Sequence, residues 1–198
     1  MKGFDVVNNP NFKKQLLVFC RQIAEGMAYL HSKEVLYRDL ALRNILLSKK
    51  EQGLCVKISD FGLSRRVSTD SQYYFSSYVA GPVMWYAPEV IDAQKPVYKK
   101  SSDVWSYGVT IWEIFAWPKE PIRSYPNFCK PLNNWDVLKE FVYKLRTDID
   151  FRLPIDACDP TIPDDVYAIL KNCWEYQPNR RRNFIELQYD FEGLIYSC

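Results

Sequence analysis

Two chemically loaded stretches, Tyr37-Arg38-Asp39-Leu40-Ala41-Leu42-Arg43-Asn44 and Asp60-Phe61-Gly62, bracket two short apolar runs, Ile45-Leu46-Leu47 and Leu54-Cys55-Val56-Lys57-Ile58. The polar stretch from Ser48 to Gly53 joins the runs, which is the pattern of a small β-hairpin. A hairpin brings the chain back to where it left. It therefore sets Asp39 and Asn44, just before the first strand, beside Asp60, just after the second.

Helical patterns surround this hairpin. From Phe12 to Leu30, apolar residues recur at Leu16, Cys20, Ile23, Met27 and Leu30, one stripe of a long helix that Gly26 weakens only slightly. His31 and Ser32 close it, so the single histidine reads as a helix-ending residue rather than a chemical one. Ser101-Ser102-Asp103 is a strong N-cap signal ahead of Val104 to Trp117. That segment is the most apolar in the chain, but it holds Ser106, Tyr107 and Glu113 and falls short of the about 20 residues that span a bilayer. It reads as a buried core helix. Pro118, Pro121, Pro126 and Pro131 exclude continuous helix next, so 118–134 is a proline-rich insertion, either a partner surface or a tolerated loop. Further helices are expected near Trp135 to Arg146, from about Pro163 with an apolar face at Val166, Ile169, Leu170, Cys173 and Trp174, and from Phe184 to Tyr196. Leu63 to Tyr86 shows no sustained period and reads as a long connection. The fold class is mainly α, a helical bundle around a buried central helix with one small hairpin.

A length of 198 residues suits one domain or one large lobe of a bigger one. The net charge is only +2, and the doublets Lys13-Lys14, Lys49-Lys50, Arg65-Arg66 and Lys99-Lys100 are scattered, so no phosphate-tracking surface forms and nucleic acid is not an expected partner. Arg180-Arg181-Arg182 is the densest basic run and reads first as a solvated helix-entry turn. Six cysteines without a C-x-x-C pair, and one histidine, do not suggest zinc; dispersed thiols suit a reducing compartment. Met1 to Pro10 is polar and mixed, unlike a signal peptide.

The loop from Tyr37 to Asn44, the Asp60-Phe61-Gly62 triplet and Ala87-Pro88-Glu89 together resemble, in order and spacing, the motif set of the protein-kinase family. The resemblance implies a C-terminal kinase lobe that uses ATP and Mg²⁺. Asp39 would orient and deprotonate the incoming hydroxyl, Asn44 and Asp60 would supply hard oxygen ligands for Mg²⁺, and Leu46 would lie beneath the adenine. Arg38 looks like the basic residue that reads a phosphorylated activation segment, here 60–89. Ser102 to Val109 resembles the family's central buried helix, whose aspartate, Asp103, anchors the catalytic-loop backbone. Cys173-Trp174 through Arg181 and Phe184 is similar to the closing signature, in which Arg181 pairs with Glu89.

Ala41 with a cation at Arg43 is similar to the tyrosine-kinase group, and Pro82 to Glu89 resembles its substrate loop, so the implied substrate is a protein carrying an acceptor tyrosine. Tyr73-Tyr74 resembles the tandem tyrosines of kinases of the spleen tyrosine kinase type. They are either regulatory phosphorylation sites or two plain loop tyrosines. Tyr37 stands where the group usually has histidine, Met84 where it usually has Lys or Arg, and Arg182 where it usually has proline.

No G-x-G-x-x-G and no V-A-I-K lysine occur among residues 1–36, so the ATP-clamping lobe is not expected within 1–198. The chain is expected to be weak or inactive by itself and to expose an apolar surface where a partner can bind. Two functional readings stand: a segment of a protein-tyrosine kinase, and a catalytically inactive kinase-derived interaction module. The expected location is the cytoplasm, or the cytoplasmic part of a membrane receptor.

Overall fold

A computed structural model of the chain describes residues 9–51, 53–67, 73–75, 83–91, 96–116, 134–148, 150–151 and 162–198. The first helix, α1 (Pro10–Ser32), begins where Asn9 accepts the Phe12 N–H at 3.2 Å and Pro10 fills the first turn. Its stripe is buried as expected at Leu16, Cys20, Ile23 and Met27, widened by Leu17 and Ala24. Gly26 has a packing reason. A Cβ there would lie 3.0 Å from Ile58 Cδ1, so the missing side chain lets the hairpin close onto α1.

The hairpin consists of β2 (Ile45–Lys50) and β3 (Gly53–Ile58), antiparallel, with Ile45 opposite Ile58 and Lys50 opposite Gly53. The expected hairpin is present, and two smaller antiparallel pairs add to it. β1 (Val35–Leu36) pairs with β4 (Arg65–Arg66), and β5 (Tyr73–Phe75) pairs with β6 (Val97–Lys99). Runs of two or three residues are too short for alternation to mark them in sequence.

After α2 (Pro88–Ile91), the central helix α3 (Lys100–Ala116) is buried at every residue from Ser102 to Trp112, so it shows no polar face. The expected cap lies inside this helix rather than ahead of it. Ser102 Oγ reaches back to accept the Lys99 N–H at 3.1 Å and donates to Glu89 at 2.8 Å, while Asp103 serves the loop described below. Gly108 is required by close approach: a Cβ would meet Trp174 Nε1 at 2.6 Å and Cys173 Cβ at 2.8 Å.

α4 (Asn134–Thr147), α5 (Asp164–Cys173) and α6 (Phe184–Ser197) complete the bundle. α6 starts with a reciprocal cap. Asn183 accepts from Ile185 and Glu186 N–H, and Glu186 accepts the Asn183 N–H at 2.8 Å. α5 packs on α3, and α6 lies along α1, with the Tyr107 ring edge-on to Phe184 and Phe191. The Tyr107 hydroxyl donates to the Cys20 carbonyl at 2.8 Å and ties α3 to α1. The mainly helical expectation matches this architecture. Among the described residues no helix is long and apolar enough to cross a membrane. The proline-rich stretch falls outside the described residues apart from Asn134, the first residue of α4.

Candidate active site

The chain between β1 and β2 is shaped by α3. Asp103, its side chain 3% exposed, accepts the Tyr37 N–H at 2.9 Å and the Arg38 N–H at 2.8 Å. His31 Nε2 lies 2.9 Å from the same carboxylate. The lone histidine therefore closes α1 and also braces the loop, a contact across 72 residues that its place at a helix end does not reveal. Held this way, Arg38 takes φ 72, a left-handed conformation that non-glycine residues reach only under such constraint.

Asp39, Arg43 and Asn44 come together immediately after. Arg43 Nη2 donates to Asp39 Oδ1 across one turn, and Asn44 Nδ2 donates to Asp39 Oδ2 at 2.9 Å and to the Asp39 carbonyl at 2.8 Å. The carboxylate is thus gripped on both oxygens while staying 13% exposed.

Asp60 reaches the same end of the hairpin through Ser59, whose N–H and Oγ both donate to the Asn44 carbonyl, at 3.0 and 2.9 Å. Tyr37 adds a second link: its hydroxyl donates to the Ser59 carbonyl and its ring stands edge-on to Phe61, centroids 5.5 Å apart. Burial pushes the Tyr37 phenol up, the Asp39, Asp60 and Asp103 charges add to the rise, and Arg43 opposes it, so the hydroxyl stays a donor. Asp60 itself sits at φ 55 with Oδ1 accepting the Gly62 N–H at 3.1 Å.

These residues fit the chemistry of a magnesium–nucleotide site. Because Asn44 donates from Nδ2 on Asp39, its amide oxygen is left as the acceptor, and Asp60 presents an exposed carboxylate. Among the described residues no three His, Cys, Asp or Glu side chains form a metal-holding group. Mg²⁺ does not need one, since it is commonly held by one or two protein oxygens together with substrate phosphates. Leu46 lies on β2, 53% exposed, and Leu47, Leu54 and Phe61 are also open, at 60%, 46% and 49%.

Arg38 is buried, its guanidinium 4.0 Å over the Tyr98 ring and donating to the Leu63 carbonyl at 3.2 Å. Tyr98 is the register partner of Tyr74, and Lys99 that of Tyr73; the Tyr73 and Tyr74 side chains lie outside the described residues. Glu89 and Arg181 meet in a two-pronged pair, at 2.7 and 2.9 Å. The remaining Arg181 donors reach the carbonyls of Glu175, Ser101 and Tyr176. Met84 is buried, and Arg182 pairs with Asp190 at 2.6 Å.

Glu113 is a residue that sequence reasoning passed over as a mere polar interruption. Its carboxylate accepts from the Leu42 N–H and from Trp85 Nε1. The available signal was a charge within an otherwise apolar helix, which is costly without a partner.

The sequence profile of the family described as "Protein tyrosine and serine/threonine kinase" matches residues 7–191. The chain is 38% identical over 173 residues to the macrophage colony-stimulating factor 1 receptor of Mus musculus, covering 87% of this chain and 16% of that protein. It is 36% identical over 178 residues to the tyrosine-protein kinase ZAP-70 of Mus musculus, with 89% and 25% covered. To the tyrosine-protein kinase HTK16 of Hydra vulgaris it is 41% identical over 177 residues, with 89% and 21% covered. The chain spans a quarter or less of the length of these relatives.

Proposed function

The chain belongs to the protein tyrosine and serine/threonine kinase family, and on that premise we propose that it is a segment of a protein-tyrosine kinase domain that transfers the γ-phosphate of ATP to a protein tyrosine. The observation that carries this reading is the Asp39 carboxylate, held between Arg43 and Asn44 at the end of the hairpin that also bears Asp60. In the transfer, the tyrosine oxygen bonds to the γ-phosphorus, the bond from that phosphorus to the ADP oxygen breaks, and the hydroxyl proton passes to Asp39. Arg43 and Asn44 orient the carboxylate so that its approach costs little rearrangement. Asn44 and Asp60 would hold Mg²⁺, which when bound neutralises charge on the phosphate chain. Leu46 offers an apolar seat for adenine. Tyrosine as acceptor is supported by Ala41 and by Arg43, whose guanidinium lies 5.2 Å over the Trp85 ring on the substrate side of the loop.

Tyr73 and Tyr74 are regulatory acceptors in this reading. A phosphate there adds about −1.5 to −2 charges on the strand paired with β6, whose Tyr98 carries Arg38. The protein acts in cytoplasmic signalling, as a soluble kinase or as the inner part of a receptor.

Incubation of the chain with Mg-ATP and a tyrosine peptide tests the assignment: slow transfer to tyrosine, absent with a serine peptide and abolished by Asp39→Asn, is expected. A second reading, an interaction module, is favoured by the open apolar residues Leu46, Leu47, Leu54 and Phe61. A longer form of the protein that carries this chain together with an ATP-clamping lobe and still transfers no phosphate to tyrosine would leave that second reading in place of the first.

A further inference from the structure

Apart from the Asp39 loop, the end of α1 and the starts of α3 and α6 enclose a cavity of about 320 Å³. Its apolar lining is Ala28, Val104, Phe184 and Ile185, and two cations far apart in the chain, Lys100 and Arg182, line it with them. The volume is near the lower end of the about 300–1,000 Å³ of ligand sites, room for a large side chain. Lys100 donates to Glu34 at 2.9 Å and Arg182 to Asp190 at 2.6 Å, each meeting one carboxylate oxygen among the described residues. An ammonium has three donors and a guanidinium five, so both retain donors beyond these pairs. Their side chains are 35% and 44% exposed, whereas Glu34 and Asp190 do not line the cavity. Lys33, next after Ser32 of the same wall, adds a third cation, its Nζ 5.5 Å over the Tyr29 ring.

The apolar surface continues past the mouth. Ile185 lines the cavity and is 58% exposed; one turn further along α6, Tyr189 is 67% exposed, and Tyr29, beside Ala28 in the chain, is 63% exposed. A small molecule seated inside would leave these rings open, while a length of chain lying across the mouth covers them.

We propose that this cavity docks an acidic peptide segment of a partner protein, with one aromatic or branched apolar side chain between Ala28, Val104, Phe184 and Ile185 and flanking carboxylates on Lys100 and Arg182. The buried anchor supplies most of the affinity, and the cations select acidic over basic segments.

The test pans the 198-residue chain against a random dodecapeptide library, and enriched sequences are synthesised with a fluorescent label for anisotropy. Enriched peptides should carry Asp or Glu on both sides of an aromatic or branched apolar residue and should shift the Ile185 δ1-methyl signal in NMR. Ile185→Ser weakens their binding about tenfold, and Lys100→Glu does so as well. Lys49→Glu, on the hairpin, leaves it within about twofold. Raising salt from about 0.05 to about 0.5 M weakens it several-fold.

Enrichment of no sequence, or of basic or uncharged ones, overturns the proposal, as does parent-like binding in either Ile185→Ser or Lys100→Glu. The chain is also offered phosphatidylserine vesicles and inorganic phosphate; capture of either in place of peptide makes this a membrane or anion site and overturns it too. If Lys100→Glu fails to fold, Arg182→Gln decides in its place, with parent-like binding again the overturning result.

Discussion

Replacing Asp103 with alanine removes the group that holds the backbone ahead of Asp39, and the size of the effect follows from its contacts. Tyr37 and Arg38 are buried, so water does not substitute for the lost acceptor of their N–H groups. Each buried N–H left without a partner costs about 1–3 kcal/mol, about 2–6 for the two. Against this, Arg38 at φ 72 is released toward an ordinary conformation, recovering part of a strain of about 1–3 kcal/mol. The expected net loss is about 2–4 kcal/mol, a large share of the about 5–15 kcal/mol that holds a domain together. Asp103→Asn keeps one acceptor oxygen and turns an NH₂ toward the second N–H, so it should recover only part of the loss. Urea unfolding followed by tryptophan fluorescence gives the free energies, and hydrogen exchange at Tyr37 and Arg38 locates the change. A loss below about 1 kcal/mol in Asp103→Ala, with both amides still protected, would refute the reasoning.

Gly108→Ala should lower the melting temperature, because its Cβ meets Trp174 Nε1 at 2.6 Å and Cys173 Cβ at 2.8 Å, an overpacking of about 1–3 kcal/mol. Gly26→Ala meets only the flexible tip of Ile58, at 3.0 Å, and gains helix propensity, so it should stay within about 0.5 kcal/mol of the parent; the opposite order of melting temperatures contradicts this packing. Arg181→Met leaves Glu89 without its buried cation, whose own side chain is 0% exposed, and should cost about 3–5 kcal/mol in urea unfolding; Arg181→Lys, with three donors in place of five, should fall between the two. Burial raises the Asp190 carboxyl above its ordinary 3.8, although Arg182 lowers it. The folded chain therefore holds that proton to higher pH than the unfolded chain does, and stability falls as pH rises from 3.8 through the raised folded value, then levels. Asp190→Asn removes this component, so its stability relative to the parent should climb over that window; a pH-independent difference would exclude the linkage.

The helices α1, α5 and α6 were legible because their signals are local. A stripe at steps of three and four marks a buried face. The grouping of Asp39, Arg43 and Asn44 is likewise written into six neighbouring positions, and the hairpin pattern already brought Asp60 to them. The loop's supports were not legible. His31 meets Asp103 across 72 residues, and Leu42 meets Glu113 across 71. What those carboxylates grip is backbone N–H, which every residue except proline carries, so the partners at Tyr37, Arg38 and Leu42 bear no mark in their side chains. Sequence alone marked the candidate residues for the chemistry, because side-chain identity and short spacing carry that information. Only the packing of α3 beneath the loop decided how Asp39 is held, because that depends on where a helix laid down some sixty residues later comes to rest.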